Sequence, residues 1–381
     1  MHRPRPYALP LASSPRLAVV TPDTVTAFWA SVETTPLVEP DGEEYLVTWL
    51  WRDAEAADVV LHLNKMTDYH DLRQSRFRRL EDTDLWHLTY RLPGTYRGSY
   101  RIGPLASRVA PPSVPPDKTA WRRLREDAVA DPRNPVGLPD GTSVVELPDA
   151  PPQPWLAGVP VLTSHQVGGR RVWVRADAGV DLPVVVLLDG DVWAGDGVIG
   201  GTLDALVAAG RIPPHVALFV DSGSTRVHDL ACSPEFLGFL TGELLPWAAE
   251  RWPVTADPAR TVLAGQSMGG LTAAYGGLYA ADRFGAVLAQ SGSWWFPGGR
   301  PEDVPENWLT GEYARRPRTA TRYWLEVGRR EWDLIEQARR FRDVLLAKGY
   351  DVTHREYDGG HDLACWRGGL ADGLIVLLGD A

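Results

Sequence analysis

The sequence predicts an all-β N-terminal domain followed by an α/β domain built on a mainly parallel sheet. Three observations predict it. The first hundred residues carry short β-type runs separated by polar and glycine-bearing turns. From residue 155 onward, strand-like apolar runs alternate with helical spacings, the pattern that right-handed βαβ crossovers produce. Between them, residues 104–154 are rich in proline, and the stiff stretch 149–154 reads as an extended connector. With 381 residues the chain suits two domains of ordinary size, divided here as 1–150 and 151–381.

In the first domain, residues 24–30, 44–51, 57–63, 84–92 and 97–102 are the expected strands. The fourth is the clearest, because Leu85, His87 and Thr89 alternate with Trp86, Leu88 and Tyr90. Strands at this spacing suggest an immunoglobulin-like β-sandwich. The basic run 73–79 reads as a solvated loop face, and a helix is expected near 118–129. In the second domain, 182–188 is a nearly continuous apolar run, as a strand buried on both faces should be. Helix is expected over 197–209, strand over 216–221, helix over 234–251 and strand over 260–264. A helix to 282 and a strand over 286–291 follow, then a Trp/Pro/Gly-rich insertion over 292–318. Strands at 322–327 and 352–357 flank an amphipathic helix, 331–348, and a helix at 370–378 closes the domain.

Composition narrows the function. The net charge of −10 argues against a nucleic-acid partner and requires a local basic patch for any anionic ligand. No apolar run reaches membrane-spanning length and the opening residues do not read as a secretory signal, so a soluble cytoplasmic protein with no membrane partner is expected. Cys232 and Cys365 are too few for a disulfide framework and are expected as buried thiols. No clustered His/Cys pattern suggests a metal site, and no cofactor is expected. Sixteen tryptophans supply flat apolar area for packing or for aromatic ligands.

The chemistry is carried by Gly265-Gln266-Ser267-Met268-Gly269-Gly270, placed between a strand and a helix. Gly-x-Ser-x-Gly in that context is the nucleophile elbow of the α/β-hydrolase fold. Ser267 is therefore the expected nucleophile. In this fold the acid and then the histidine follow in chain order. Asp358-Gly359-Gly360-His361-Asp362 stands after the last strand, where two glycines allow a sharp bend, and His361 is the expected general base. Glu331, three residues past Gly328, is the preferred acid; Asp333 is the fallback, and a Ser–His dyad stays open. The oxyanion hole is assigned to the main-chain N–H of Met268 and of Asp191, the latter in the Asp189-Gly190-Asp191-Val192-Trp193 loop.

Four stretches resemble the ferric enterobactin esterase (enterochelin esterase) family: residues 187–193; His228-Asp229-Leu230 with 232–236; 265–270; and 358–362 with Cys365-Trp366-Arg367-Gly368-Gly369-Leu370. The connector residues 131–135 and 147–151 resemble it too, so the likeness spans nearly the whole chain. The resemblance implies a cytoplasmic two-domain esterase that opens the trilactone of a ferric catecholate siderophore, whose iron belongs to the substrate. It carries the catalytic serine, histidine and acid to Ser267, His361 and Glu331. A polyanionic aromatic substrate gives Arg226, Arg329 and Arg330 a binding role, with Trp193, Trp294, Trp295 and Trp366 as expected ring contacts. Rival readings are a feruloyl-type esterase, an acyltransferase on the same scaffold, or a siderophore-binding protein without turnover. The N-terminal domain is expected to close over the mouth of the site and select large substrates.

Overall fold

The computed structural model describes residues 9–69, 71–108, 118–156, 158, 161–195, 199–296 and 307–379, with backbone only at 118–121 and 333. Residues 1–6, the start of the helix expected from 197, much of the 292–318 insertion and the Asp333 side chain lie outside this description. The chain divides into two compact units: Met1–Pro151 with Asp358–Cys365, and Pro152–Tyr357 with Trp366–Ala381. The short return of 358–365 to the first unit has no signature in the sequence.

Among the described residues the first unit holds seven strands: β1 (Leu37–Asp41), β2 (Glu44–Arg52), β3 (Asp58–Leu63), β4 (Arg78–Arg79), β5 (Leu85–Pro93), β6 (Arg97–Leu105) and β7 (Ser143–Glu146). They form two antiparallel sheets, β1-β2-β5-β4 and β3-β6-β7. Side chains from both sheets share one core: Val47, Trp49, Leu88 and Tyr90 from one, Leu61, Tyr100, Ile102 and Val145 from the other. They are accompanied by α1 (Pro15–Ala18), α2 (Val25–Ser31) and α3 (Lys118–Glu126).

Residues 24–30, expected as a strand, form α2 instead. The β-branched residues Val25 and Thr26 suggested extension, but tertiary burial outweighs so weak a preference. Phe28 and Trp29 are buried with Leu37, Leu50 and Leu85, and the Trp29 indole donates to Asp84 Oδ1 at 3.0 Å. The basic run is also partly regular, since Arg78 and Arg79 pair with His87 and Trp86 as β4.

The second unit is an eight-stranded sheet, ordered β15-β14-β13-β12-β10-β11-β9-β8. Its strands are β8 (Thr163–Val167), β9 (Arg170–Ala176), β10 (Val184–Leu188), β11 (Val216–Val220), β12 (Thr261–Gln266), β13 (Ala286–Gln290), β14 (Arg322–Gly328) and β15 (Asp351–Tyr357). The pairs from β11 across to β15 are parallel; β9 and β8 are antiparallel. The β8–β9 hairpin turns through Gly168 and Gly169 at φ 54° and 76°, a two-glycine signal that the alternation pattern overlooked. Central β10 is buried throughout, whereas edge strand β15 is half-exposed.

The helices are α4 (Gly190–Ala194), α5 (Gly200–Ala208), α6 (Arg226–Asp229), α7 (Pro234–Phe239), α8 (Leu245–Ala249), α9 (Met268–Tyr279), α10 (Trp308–Arg315), α11 (Trp332–Ala347) and α12 (Leu363–Leu378). The helix expected over 234–251 is present across α7 and α8, which join through one wider helical turn at Leu240–Leu244. Pro246, which lacks an N–H and crowds the carbonyl four residues back, stands two residues after the end of that turn. Among the described residues no helix is long and apolar enough to cross a membrane.

Candidate active site

The elbow begins where β12 ends. Ser267 sits between Gln266 and the first turn of α9, with φ 57° and ψ −119°. Such a conformation costs a non-glycine residue on the order of 1–3 kcal/mol and persists only when the surroundings hold it. They do so here through close backbone packing. A Cβ on Gly265 would lie 2.4 Å from the carbonyl carbon of Gly269, so only glycine lets α9 press back on β12. The N–H of Ser267 donates to Gln290 O at 3.0 Å, and its carbonyl accepts from Ser293 N at 2.9 Å and from Leu271 N at 3.1 Å. The hydroxyl stands 3.3 Å from Ser293 Oγ.

The same device recurs on neighbouring strands. Asp189 after β10 and Ser291 after β13 also take positive φ, 55° and 50°. Beneath this row runs a buried ladder of side chains. The Trp193 indole donates to Gln266 Oε1 at 2.8 Å, and Gln266 Nε2 donates to Gln290 Oε1 at 2.7 Å. Gln290 Nε2 then donates to Glu326 Oε1 at 2.6 Å and to Trp366 O at 2.8 Å. Gln266, Gln290 and Glu326 are adjacent in register, each near the C-terminal end of its strand. Burial pushes Glu326 up to about 8, against the lowering effect of Gln290 and Arg355, so the carboxyl is neutral at pH 7.

Glu331 stands at the N-cap position of α11, where its side chain makes no capping bond, and is fully buried. Its Oε1 accepts from Ser291 Oγ at 2.5 Å, from Gly328 N at 2.9 Å and from the Tyr357 hydroxyl at 3.3 Å. A buried carboxylate needs such donors. Ser291 Oγ in turn accepts from the Trp366 indole at 3.0 Å. Ser291, Ser293, Gln266, Gln290 and Tyr357 were not singled out from the sequence. A signal existed: glutamine ends two adjacent strands, and serine follows both.

The remaining expected residues fall into distinct environments. Met268 and Asp191 occupy the first turns of α9 and α4, where amides have no intrahelical acceptor. Arg226 forks onto Asp189, Nε to Oδ1 and Nη2 to Oδ2, both at 2.7 Å, which raises its pKa further. Its side chain stays 38% exposed. Arg329 is exposed and Arg330 half-buried.

Two tryptophans require correction. Trp193 is 1% exposed and serves the ladder, so it offers no face to a ligand. Trp294 is 2% exposed and stacks on Phe341 with centroids 4.0 Å apart. The accessible ring of that pair is Trp295, at 40% exposure. Trp366 is half-buried and tied to Ser291. His361 lies in the segment that groups with the first unit, and its main chain is bonded to Asn64. Both cysteines are buried.

Comparison with known proteins agrees along the whole chain. Residues 46–156 match the family model "Enterochelin esterase, N-terminal", and residues 170–377 match the model "Esterase". The chain is 34% identical to the iron(III) enterobactin esterase of Dickeya dadantii (strain 3937), covering 99% of this chain and 97% of that protein. It is 32% identical to the iron(III) salmochelin esterase of Escherichia coli O6:H1, covering 93% and 94%. Among solved structures, ferric enterobactin esterase from Salmonella typhimurium matches with TM-score 0.82 at 31% identity, over 92% of this chain and 98% of that one. The enterobactin esterase of Shigella flexneri, solved in the presence of enterobactin, matches with TM-score 0.80 at 33% identity, over 92% and 97%.

Proposed function

Because the chain belongs to the enterochelin esterase family and is an ester hydrolase, we propose that it cleaves the trilactone backbone of a ferric catecholate siderophore in the cytoplasm. The observation that carries this reading is similarity over nearly the full chain to esterases named for enterobactin and salmochelin. Ser267, strained at the end of β12, is the nucleophile in this reading. His361 is its general base, and Glu331 fixes and compensates the imidazolium that forms.

The reaction runs in two acyl-transfer steps. Ser267 Oγ attacks a backbone ester carbonyl as His361 takes the hydroxyl proton. The N–H groups of Met268 and Asp191 stabilise the oxyanion. The tetrahedral species collapses, the ester C–O bond breaks, and His361 returns the proton to the departing seryl hydroxyl. Water, deprotonated by His361, then attacks the acyl-enzyme and releases the carboxylic acid and free Ser267. Opening the macrocycle removes the preorganisation that holds three catecholates around iron.

Arg226, Arg329 and Arg330 supply the positive charge that a polyanionic ligand needs from a protein of net charge −10. Trp295 and Trp366 provide ring contacts. The shared core of the two N-terminal sheets supports reading residues 1–150 as an immunoglobulin-like sandwich and 151–381 as the esterase domain.

Mass spectrometry of products from ferric and iron-free catecholate trilactones tests the reading. Linear trimer, dimer and monomer acids are expected from wild type and none from Ser267→Ala. Turnover of a feruloyl ester with an intact trilactone would replace the substrate assignment. Failure of a fluorophosphonate to label wild type would replace catalysis by binding.

A further inference from the structure

The residues flanking His361 close an open strand edge in the first unit. Strand β3 covers β6 only as far as the Leu63–Tyr100 pair, which leaves one edge of residues 97–99 without a strand partner there. Segment 358–365 and Asn64 take over that edge. Arg97 N donates to Asp358 O at 3.0 Å and Ser99 N to Asp362 Oδ2 at 3.0 Å; Ser99 O accepts from Asn64 N at 3.0 Å. Cys365 Sγ closes the far end on Arg97 O at 3.4 Å.

Asn64 has the most specific role. It follows β3 directly, in a turn held by Thr67 Oγ1, which donates to Leu61 O at 2.7 Å and accepts from Leu63 N at 2.8 Å. Its carboxamide meets the His361 main chain at two points: Nδ2 donates to His361 O at 3.0 Å, and Oδ1 accepts from His361 N at 3.0 Å. A Cβ on Gly360 would come within 2.6 Å of that Oδ1, so the grip also explains glycine at 360.

We propose that Asn64, in the N-terminal domain, is a positioning residue for the general base, setting the His361 main chain and thereby where the imidazole is presented. The proposal rests on reading His361 as that base. A loop with two glycines at 359 and 360 has many conformations, and a base displaced by an ångström loses most of its effect. A side-chain amide can satisfy one N–H and one C=O at once, as a strand partner does. It follows that the N-terminal domain serves the hydrolysis of any ester, small ones included, which departs from the expectation that it only selects large substrates.

Asn64→Ala and Asn64→Asp in the full chain, assayed on a small p-nitrophenyl ester, test this. For Asn64→Ala, kcat should fall about ten- to a hundredfold with KM changed less than about twofold. Asn64→Asp keeps the acceptor but turns a carboxylate oxygen toward His361 O. Its kcat relative to wild type should be low at pH 8 and rise below about pH 5, as protonation restores a donor. A purely structural role predicts a lowered melting temperature without this split or this pH trend. If His361→Ala keeps its kcat, the reading of the base fails. If His361→Ala is inactive while folded Asn64→Ala keeps wild-type kcat, only the positioning role is overturned. Should Asn64→Ala not fold, the pH trend of Asn64→Asp decides alone.

Discussion

Ser291 Oγ donates to Glu331 Oε1 at 2.5 Å, which joins the residue after β13 to the residue just before α11. The same oxygen is reached by Gly328 N and by the Tyr357 hydroxyl, so Glu331 is held by three separate parts of the second unit. Three donors on one oxygen hold this buried carboxylate in a single position.

Glu331→Gln is expected to lower kcat by on the order of a thousandfold while leaving KM within a few-fold, the pattern for loss of a group acting in the transition state. Ser291→Ala removes one donor and should cost about tenfold, in line with roughly 1.5 kcal/mol for a hydrogen bond to a charged group. Steady-state kinetics on a small ester measures both. Near-wild-type kcat in Glu331→Gln would move the acid role to Asp333 or to a dyad.

Glu326 predicts a pH effect on stability. Its folded pKa, raised to about 8 by burial, exceeds the ordinary value of 4.5. Between those values the native state holds a proton that the unfolded chain releases. Its contribution is complete below about pH 4.5 and is lost as pH rises through 8. At about 1.4 kcal/mol per unit of difference, the loss amounts to a few kcal/mol. Glu326→Gln mimics the neutral acid. Its denaturation midpoint should fall less than that of wild type between pH 5.5 and 8.5. Parallel falls in the two proteins would show that Glu326 does not titrate in this range.

Arg226 separates charge from geometry. The forked bond to Asp189 holds a residue whose φ of 55° shapes the loop after β10. Arg226→Lys keeps the charge but not the fork. If the fork matters, Arg226→Lys and Arg226→Ala should both lower kcat about tenfold on a small neutral ester. If only charge matters, Arg226→Lys should preserve KM for an anionic catecholate ester and Arg226→Ala should raise it.

The adjacent tryptophans should behave oppositely. Trp294→Ala empties a buried stack against Phe341 and is expected to cost about 3–5 kcal/mol of stability, read by chemical denaturation. Trp295→Ala removes an exposed ring and should leave stability within about 0.5 kcal/mol while raising KM for an aromatic siderophore. A stable Trp294→Ala variant with a raised KM would reverse the two roles.

The elbow at Ser267, the apolar run of β10 and the alternation of strands and helices along the second half of the chain could be read from the amino acids, because each is a local matter. Glycines beside a serine, β-branched runs and helical spacing report the backbone within a few residues. The same local reading mistook α2 for a strand, since Phe28 and Trp29 obey a pocket formed by Leu37, Leu50 and Leu85 rather than their own propensity. It also offered Trp193 and Trp294 to a ligand, although partners at Gln266 and Phe341 had already claimed them. The hold on His361 was the least legible feature, for the carboxamide that binds it lies 297 residues earlier in the chain. Composition and spacing thus determined which chemical groups are present and the backbone turn that exposes Ser267. Which side chains are buried, and which asparagine binds the histidine's main chain, was decided only by long-range packing, because those contacts depend on segments that no local pattern encodes.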